Sequence, residues 1–224
     1  MFIDLDLLTG KSNAHLIPFR GGPFLVHQKM HDALDKMFSK ALTDGFDLTL
    51  MSSFRSFEMQ QKIWNDKALG LRPLLDSNSC PIDISIKNKE EILFCILRWS
   101  AIPGGSRHHW GSDIDLFDQR SKPFDYNVQL IPSEYEAGGP FFESRLWLDE
   151  HMEEFGFFRP YFKDVGGIAP EPWHLSFREV SEELLEHFDL NAFHQHLSQS
   201  QFLLIDEARQ HSEVIYNKFI QIPR

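Results

Sequence analysis

Two short stretches of this 224-residue chain hold the side chains best suited to chemistry: the run from Ser106 to Asp115, and Glu171-Pro172-Trp173-His174. His108, Asp115 and His174 supply two imidazoles and a carboxylate, a donor set that suits zinc. Three protein ligands leave the fourth position that a catalytic ion needs for water. Glu171, three residues before His174, is the natural general base for such a site. An ion held this way lowers the pKa of its water from about 16 toward about 7, and Glu171 takes the proton released as the scissile carbonyl is attacked. The chain reads as a hydrolase.

Other elements must bring these residues together. Gly111 lets the backbone bend between His108 and a strand bearing Asp115 that closes at Phe117-Asp118. On that strand Asp113 points the same way as Asp115, so it can crowd or acidify the site, and it competes with Asp115 as ligand; His109 is a second competitor. Pro172 holds Glu171 extended, and 173–177 alternates as a strand with His174 and Ser176 on one face. Upstream, apolar residues from Leu25 through Leu42 follow helical spacing and stop at Gly45. A strand over 46–52 and a helix over 57–69 follow, then a loop or lid over 71–89 and a helix over 90–100. The turn 102–105 leads into the first metal block. A polar excursion over 119–140 and a helix over 143–155, stopped by Gly156, precede the second. After Arg178 the sequence turns acidic and helical, with helices over 180–188 and 192–219 whose apolar positions can cover the core or a partner.

The blocks resemble those of the VanY-like D-alanyl-D-alanine carboxypeptidases, zinc peptidases of bacterial cell-wall metabolism that share a fold with lysostaphin-type enzymes and the hedgehog domain. The match lies in Ser-x-His-x-x-Gly-x-x-x-Asp at 106–115, in Glu-x-x-His at 171–174, and in Ser53-Phe54-Arg55-Ser56-Phe57-Glu58-x-Gln60. Trp147-Leu148 through Phe155-Gly156-Phe157, with Arg159-Pro160-Tyr161, is similar to the family's stretch before its last ligand. The likeness runs from about Leu25 to Phe177. It implies an α+β fold with a central antiparallel sheet flanked by helices, one zinc ion, and an arginine, Arg55, facing the metal and supplementing it at the oxyanion. The implied substrate is a peptidoglycan peptide or fragment ending in D-alanine, its carboxylate held by Ser106 and Gln60. The family usually has a small residue where this chain has Asp113. Relatives of the same fold leave a D,D-dipeptidase, an L,D-carboxypeptidase or an endopeptidase open, as well as a non-catalytic zinc-stabilised binding module.

Plainer readings stand beside these. Glu171 can be a surface acid in a salt bridge, Arg55 a structural ion-pair partner, Ser106 a turn residue bonding its own backbone, and Gln60 a solvated helix residue. His27 with His31, one helical turn apart, and His194 with His196 are expected to be ordinary helix-surface residues, since no third ligand is indicated near either pair.

Composition bounds the rest. With 42% hydrophobic residues the chain can bury a full core, and the simplest division is an N-terminal segment 1–24, a zinc peptidase unit 25–178 and a helical extension 179–224 packed on it. A net charge of −11 argues against nucleic acid as a partner. No segment is apolar for long enough to span a bilayer. The N-terminus as written has neither basic leader nor apolar run, which points to the cytoplasm; a trimmed leader would instead place the protein in the periplasm or cell envelope. Cys80 and Cys95 are expected to be two isolated thiols. Oligomeric state is open.

Overall fold

In a computed structural model of the protein, residues 3–76 and 79–221 are described. The strands are β1 (Leu16–Pro18), β2 (Leu25–His27), β3 (Leu48–Ser52), β4 (Leu74–Leu75), β5 (Pro81–Ile82), β6 (Asp113–Asp118), β7 (Phe157–Phe158) and β8 (His174–Phe177). The α-helices are α1 (Leu5–Leu8), α2 (His31–Thr43), α3 (Phe57–Ala68), α4 (Lys89–Leu97), α5 (Phe142–His151), α6 (Arg178–His187), α7 (Leu190–Gln199), α8 (Ile205–Gln210) and α9 (Ser212–Ile215). The α+β class read from the sequence holds.

The central sheet has the order β3-β6-β8-β7, and every neighbouring pair in it is antiparallel. Period-two alternation divides β6: Ile114 and Leu116 join the apolar core, while Asp113 and Asp115 take the other face. All six β6 residues are buried, so the polar face of this strand is a covered site rather than a solvated surface. One apolar core contains Leu7 and Phe19, Leu116 and Leu175, and Phe193 and Ile215 together. The chain's first residues and its last helices thus share a core with the sheet.

Three local expectations are corrected. Residues Leu25–His27 are not helical: they pair with Leu16–Pro18 as a hairpin, and the helix begins at His31. Leu25 fits the helical period by chance, and the strand partner that overrides it lies outside that window. The loop over 71–89 contains the small β4–β5 pair and a 3₁₀ turn at Ile84–Ile86. The single helix over 192–219 is broken by residues 200–204, where Leu204 has φ +65°. That break inserts Phe202 against Trp64, with ring centroids 6.0 Å apart, and Leu203 offers its carbonyl to Trp64 Nε1 at 2.8 Å. Tertiary contact with α3 outweighs local helical continuity. Cys80 is exposed, Cys95 half-buried, and no disulfide joins them.

Two local signals aim the site. Ser56 Oγ accepts the Met59 N–H at 3.3 Å and starts α3 immediately after Arg55, so Arg55 is fixed between a strand end and a capped helix. Gly111 ends the 3₁₀ turn Arg107–Trp110 with φ +66°. A Cβ there would lie 2.3 Å from Leu16 Cδ2 and 3.0 Å from the His27 backbone nitrogen. Gly111→Ala is therefore expected to cost about 1–3 kcal/mol through strain at positive φ and the displaced hairpin, read as a lower unfolding midpoint in urea. An unchanged midpoint would show that the hairpin yields freely.

Candidate metal centre

The site is assembled by sheet register. Across β6 and β8, Asp115 sits directly opposite His174 and Asp113 opposite Ser176, while Ser52 of β3 pairs with Asp115 from the other side. Directly opposed residues lie about 4.5–5.5 Å apart, so pairing alone brings Asp115 and His174 into contact. The 3₁₀ turn before Gly111 delivers His108 from above the strand end.

One ligand atom each from His108, Asp115 and His174 falls within 4.8 Å of the others, and all three residues are buried. His108 Nε2 lies 3.3 Å from Asp115 Oδ2, and His174 Nδ1 lies 3.1 Å from Asp115 Oδ1. The remaining ring nitrogens point outward to fixed partners: His108 Nδ1 to the Ser53 carbonyl at 2.8 Å, and His174 Nε2 to Asp113 Oδ1 at 2.9 Å. Imidazoles held from behind in this way fit a cation. The donor set and its spacing suit zinc. Glu171 stands beside the three, its Oε2 at 3.5 Å from His174 Nδ1.

These groups open into a cavity of about 330 Å³, which is also lined by Arg55, Lys67, Arg72, Ser106 and Tyr161. Arg55 Nη2 is 3.8 Å from Asp115 Oδ2 and donates to Ser52 Oγ at 3.0 Å. Gln60 is placed differently from expectation. It is fully buried and does not line the cavity: its Oε1 accepts from Arg55 Nη1 at 2.8 Å and its Nε2 donates to the Ala101 carbonyl at 2.6 Å. It braces the guanidinium and is buried rather than solvated. Ser106 does line the cavity, and its side chain does not cap the turn that follows it.

The histidine competitors resolve into structural braces. His109 accepts from the Gly104 N–H at 3.0 Å and contacts the Arg55 carbonyl at 2.6 Å, so both its nitrogens are used. His27 lies buried in β2 and His31 begins α2, so they are not one helical turn apart; His31 pairs with Asp32. His196 is fully buried rather than on a helix surface, contacting the Pro103 carbonyl at 2.9 Å. It thereby ties α7 to the turn leading into His108. Asp113 does not crowd the ligands, because its carboxylate lies behind His174. Sequence reasoning missed Lys67 and Tyr161. Lys67 carried no motif, whereas Tyr161 sat within the family-like stretch; its ring is 4.8 Å from that of His174.

The family profile described as VanY: D-alanyl-D-alanine carboxypeptidase matches residues 24–180. The chain belongs to this family. An uncharacterised Haemophilus influenzae protein is 34% identical over 121 residues, which span 53% of this chain and 92% of that one. A D-alanyl-D-alanine carboxypeptidase of Enterococcus faecalis is 28% identical over 166 residues, covering 73% of this chain and 48% of that protein. Among solved structures, VanYB in complex with D-alanine-D-alanine superposes with a TM-score of 0.54 at 21% identity, covering 83% of this chain and 89% of that one. A variant of the vancomycin-resistance D,D-pentapeptidase VanY in complex with Zn(II) gives 0.52 at 21% identity, over 78% and 89%. At these identities the structural likeness bears on the fold.

Electrostatics distinguish the two carboxylates of this VanY-family site. Burial raises Asp115, but the His108 and His174 imidazoles outweigh it and hold the carboxyl far below its ordinary range. Burial also raises Glu171, and there it prevails: the carboxyl is pushed up to about 7, against the pull of His174, Arg55 and Lys67. One acid stays ionised as a ligand must, and the other is poised to exchange a proton near neutrality. For His174, burial pulls downward but the Asp113 and Asp115 carboxylates win and raise it to about 9. Burial lowers Lys67 to about 8.

In metal-free protein the carboxyl ¹³C resonance of Glu171 is expected to titrate near pH 7, and Lys67→Met to move that midpoint upward by removing a cation that favours the carboxylate. Because the folded value exceeds the ordinary 4.5, this group's contribution to stability is complete below pH 4.5 and is lost as pH rises through about 7. A midpoint near 4.5, unmoved by the Lys67 change, would contradict this assignment.

Proposed function

We propose that this chain is a zinc-dependent D-alanyl-D-alanine carboxypeptidase that hydrolyses the terminal peptide bond of peptidoglycan peptides or their fragments. His108, Asp115 and His174 would hold the ion, through Nε2, a carboxylate oxygen and Nδ1. The observation that carries the reading is the convergence of these three donors beside a carboxyl, Glu171, whose burial tunes it to proton transfer. A non-catalytic zinc module has no use for that carboxyl or for a guanidinium 3.8 Å from a ligand carboxylate.

When bound, zinc supplies Lewis acidity that polarises the substrate carbonyl and acidifies water. Glu171 receives the proton at a carboxylate oxygen as water adds to the carbonyl carbon. It then hands that proton to the departing amine as the C–N bond breaks. Arg55, braced by Gln60 and Ser52, presents a fixed cation where negative charge develops on the carbonyl oxygen. Tyr161 shields one side of His174, which keeps water off the ligand ring.

Recognition of a free terminal carboxylate is assigned to Ser106 and Lys67, in place of Ser106 and Gln60. Lys67 donates to the Trp99 carbonyl at 3.5 Å and, among the described residues, has no carboxylate within ion-pair distance. A half-buried cation in the cavity wall without an acid partner favours an anionic ligand. D-stereochemistry rests on the family.

Mass spectrometry of the products from pentapeptide, tetrapeptide, cross-linked dimer and the free dipeptide tests the substrate class, the first two by release of D-alanine and the dimer by its splitting into two peptides. Pentapeptide is expected to be cut preferentially; tetrapeptide would indicate an L,D-carboxypeptidase, the dipeptide a D,D-dipeptidase, and the dimer an endopeptidase. Glu171→Gln is expected to retain zinc and lose on the order of 10²–10⁴ in kcat. His108→Ala and His174→Ala should lose the metal, whereas His27→Ala should keep it. Full activity in Glu171→Gln would remove the general base from the scheme.

A further inference from the structure

Asp113 is fully buried on the strand that also bears Asp115. Two strand positions from Asp115, it shares that residue's face but not its role. Its Oδ1 accepts from Arg107 Nε and from His174 Nε2, each at 2.9 Å. Its Oδ2 accepts from Ser112 Oγ at 2.6 Å and Ser176 Oγ at 3.0 Å. Arg107 Nη2 donates to Ser176 Oγ at 2.7 Å, and the guanidinium carbon lies 5.1 Å from the Trp110 ring and 5.8 Å from that of Phe158. Every lone-pair direction of the carboxylate is engaged, and a buried cation balances its charge. Such an oxygen pair is spoken for and does not swing round to bind a metal.

An ionised carboxylate only accepts hydrogen bonds, so its imidazole partner must present an N–H. Once a cation sits between His108, Asp115 and His174, the one proton left on His174 therefore stays on Nε2, and Nδ1 is the nitrogen free to offer a lone pair. We propose that Asp113, clamped by Arg107, is a positioning residue of this centre: it fixes the ring and tautomer of His174 so that Nδ1 is the metal ligand. The inference rests on the reading of His174 as a ligand. It gives the buried Asp113–Arg107 ion pair a role at the metal centre.

The test loads zinc or ¹¹³Cd into the wild type, Asp113→Asn, Asp113→Ala and the Asp113→Ala/Arg107→Met pair. The pair removes both buried charges, so it does not leave an arginine stranded. Metal affinity comes from competition with a chelator, and ring geometry from ¹⁵N resonances of His174 and their coupling to ¹¹³Cd. In the wild type, coupling is expected to Nδ1, with a slowly exchanging proton on Nε2. Asp113→Asn retains an acceptor and should stay within a few-fold in affinity. The paired variant should lose on the order of 10–100-fold and show a fast-exchanging Nε2 proton. Wild-type coupling to Nε2, or wild-type affinity and slow exchange in the paired variant, would overturn the proposal. A wild type that takes up neither metal would instead overturn the reading of the site itself.

Discussion

The antiparallel pairing of β6 with β8 is the constraint on which this protein depends. It sets Asp115 against His174 and Asp113 against Ser176, and it does so through backbone hydrogen bonds, not through any attraction between the functional side chains. A slip of one residue would turn the whole polar set into the apolar core and turn Ile114 and Leu175 outward. The apolar face thus enforces the chemistry of the opposite face. Side chains that would repel or desolvate one another are held together because the core cannot form in another register.

That arrangement concentrates charge among buried side chains. Asp113, Asp115 and Glu171 are gathered around His174, and their charges are answered by Arg107 behind the ring and by Arg55 and Lys67 on the cavity side. Differences in partners make the acids different. Asp113 has four donors and is locked, Asp115 faces two imidazoles and stays ionised, and Glu171 has mostly burial and sits near neutrality. A divalent ion completes such a balance.

Around the centre lies a layer of buried polar braces. Gln60 ties Arg55 to the 100–101 backbone, His109 ties the same arginine's backbone to Gly104, and His196 ties the last third of the chain to Pro103. The C-terminal helices, for which sequence offered no chemical role, therefore support the turn that delivers His108. Precision in the ligands comes from these contacts, since a ring free to rotate would hold a metal weakly.

Much of this was legible in one dimension. The convergence of His108, Asp115 and His174, the Gly111 bend and the strand alternation follow from residue type and short-range periodicity, because a candidate metal site demands particular atoms and a strand has a fixed period. The boundaries of α3 and β8 were readable for the same reason. What sequence left open was which polar side chains face the cavity and which face other protein. Residue type alone does not place Gln60 behind Arg55, His196 in the interior, Asp113 behind His174 or Leu25–His27 in a strand. In each case the deciding partner lies far away along the chain: Ala101 for Gln60, Pro103 for His196, His174 for Asp113, Leu16–Pro18 for the hairpin. Residue type and spacing marked out a candidate metal site. Only tertiary structure decided which nitrogen, oxygen and cation serve it, because hydrogen bonds between distant residues are set by packing and leave no period in the sequence.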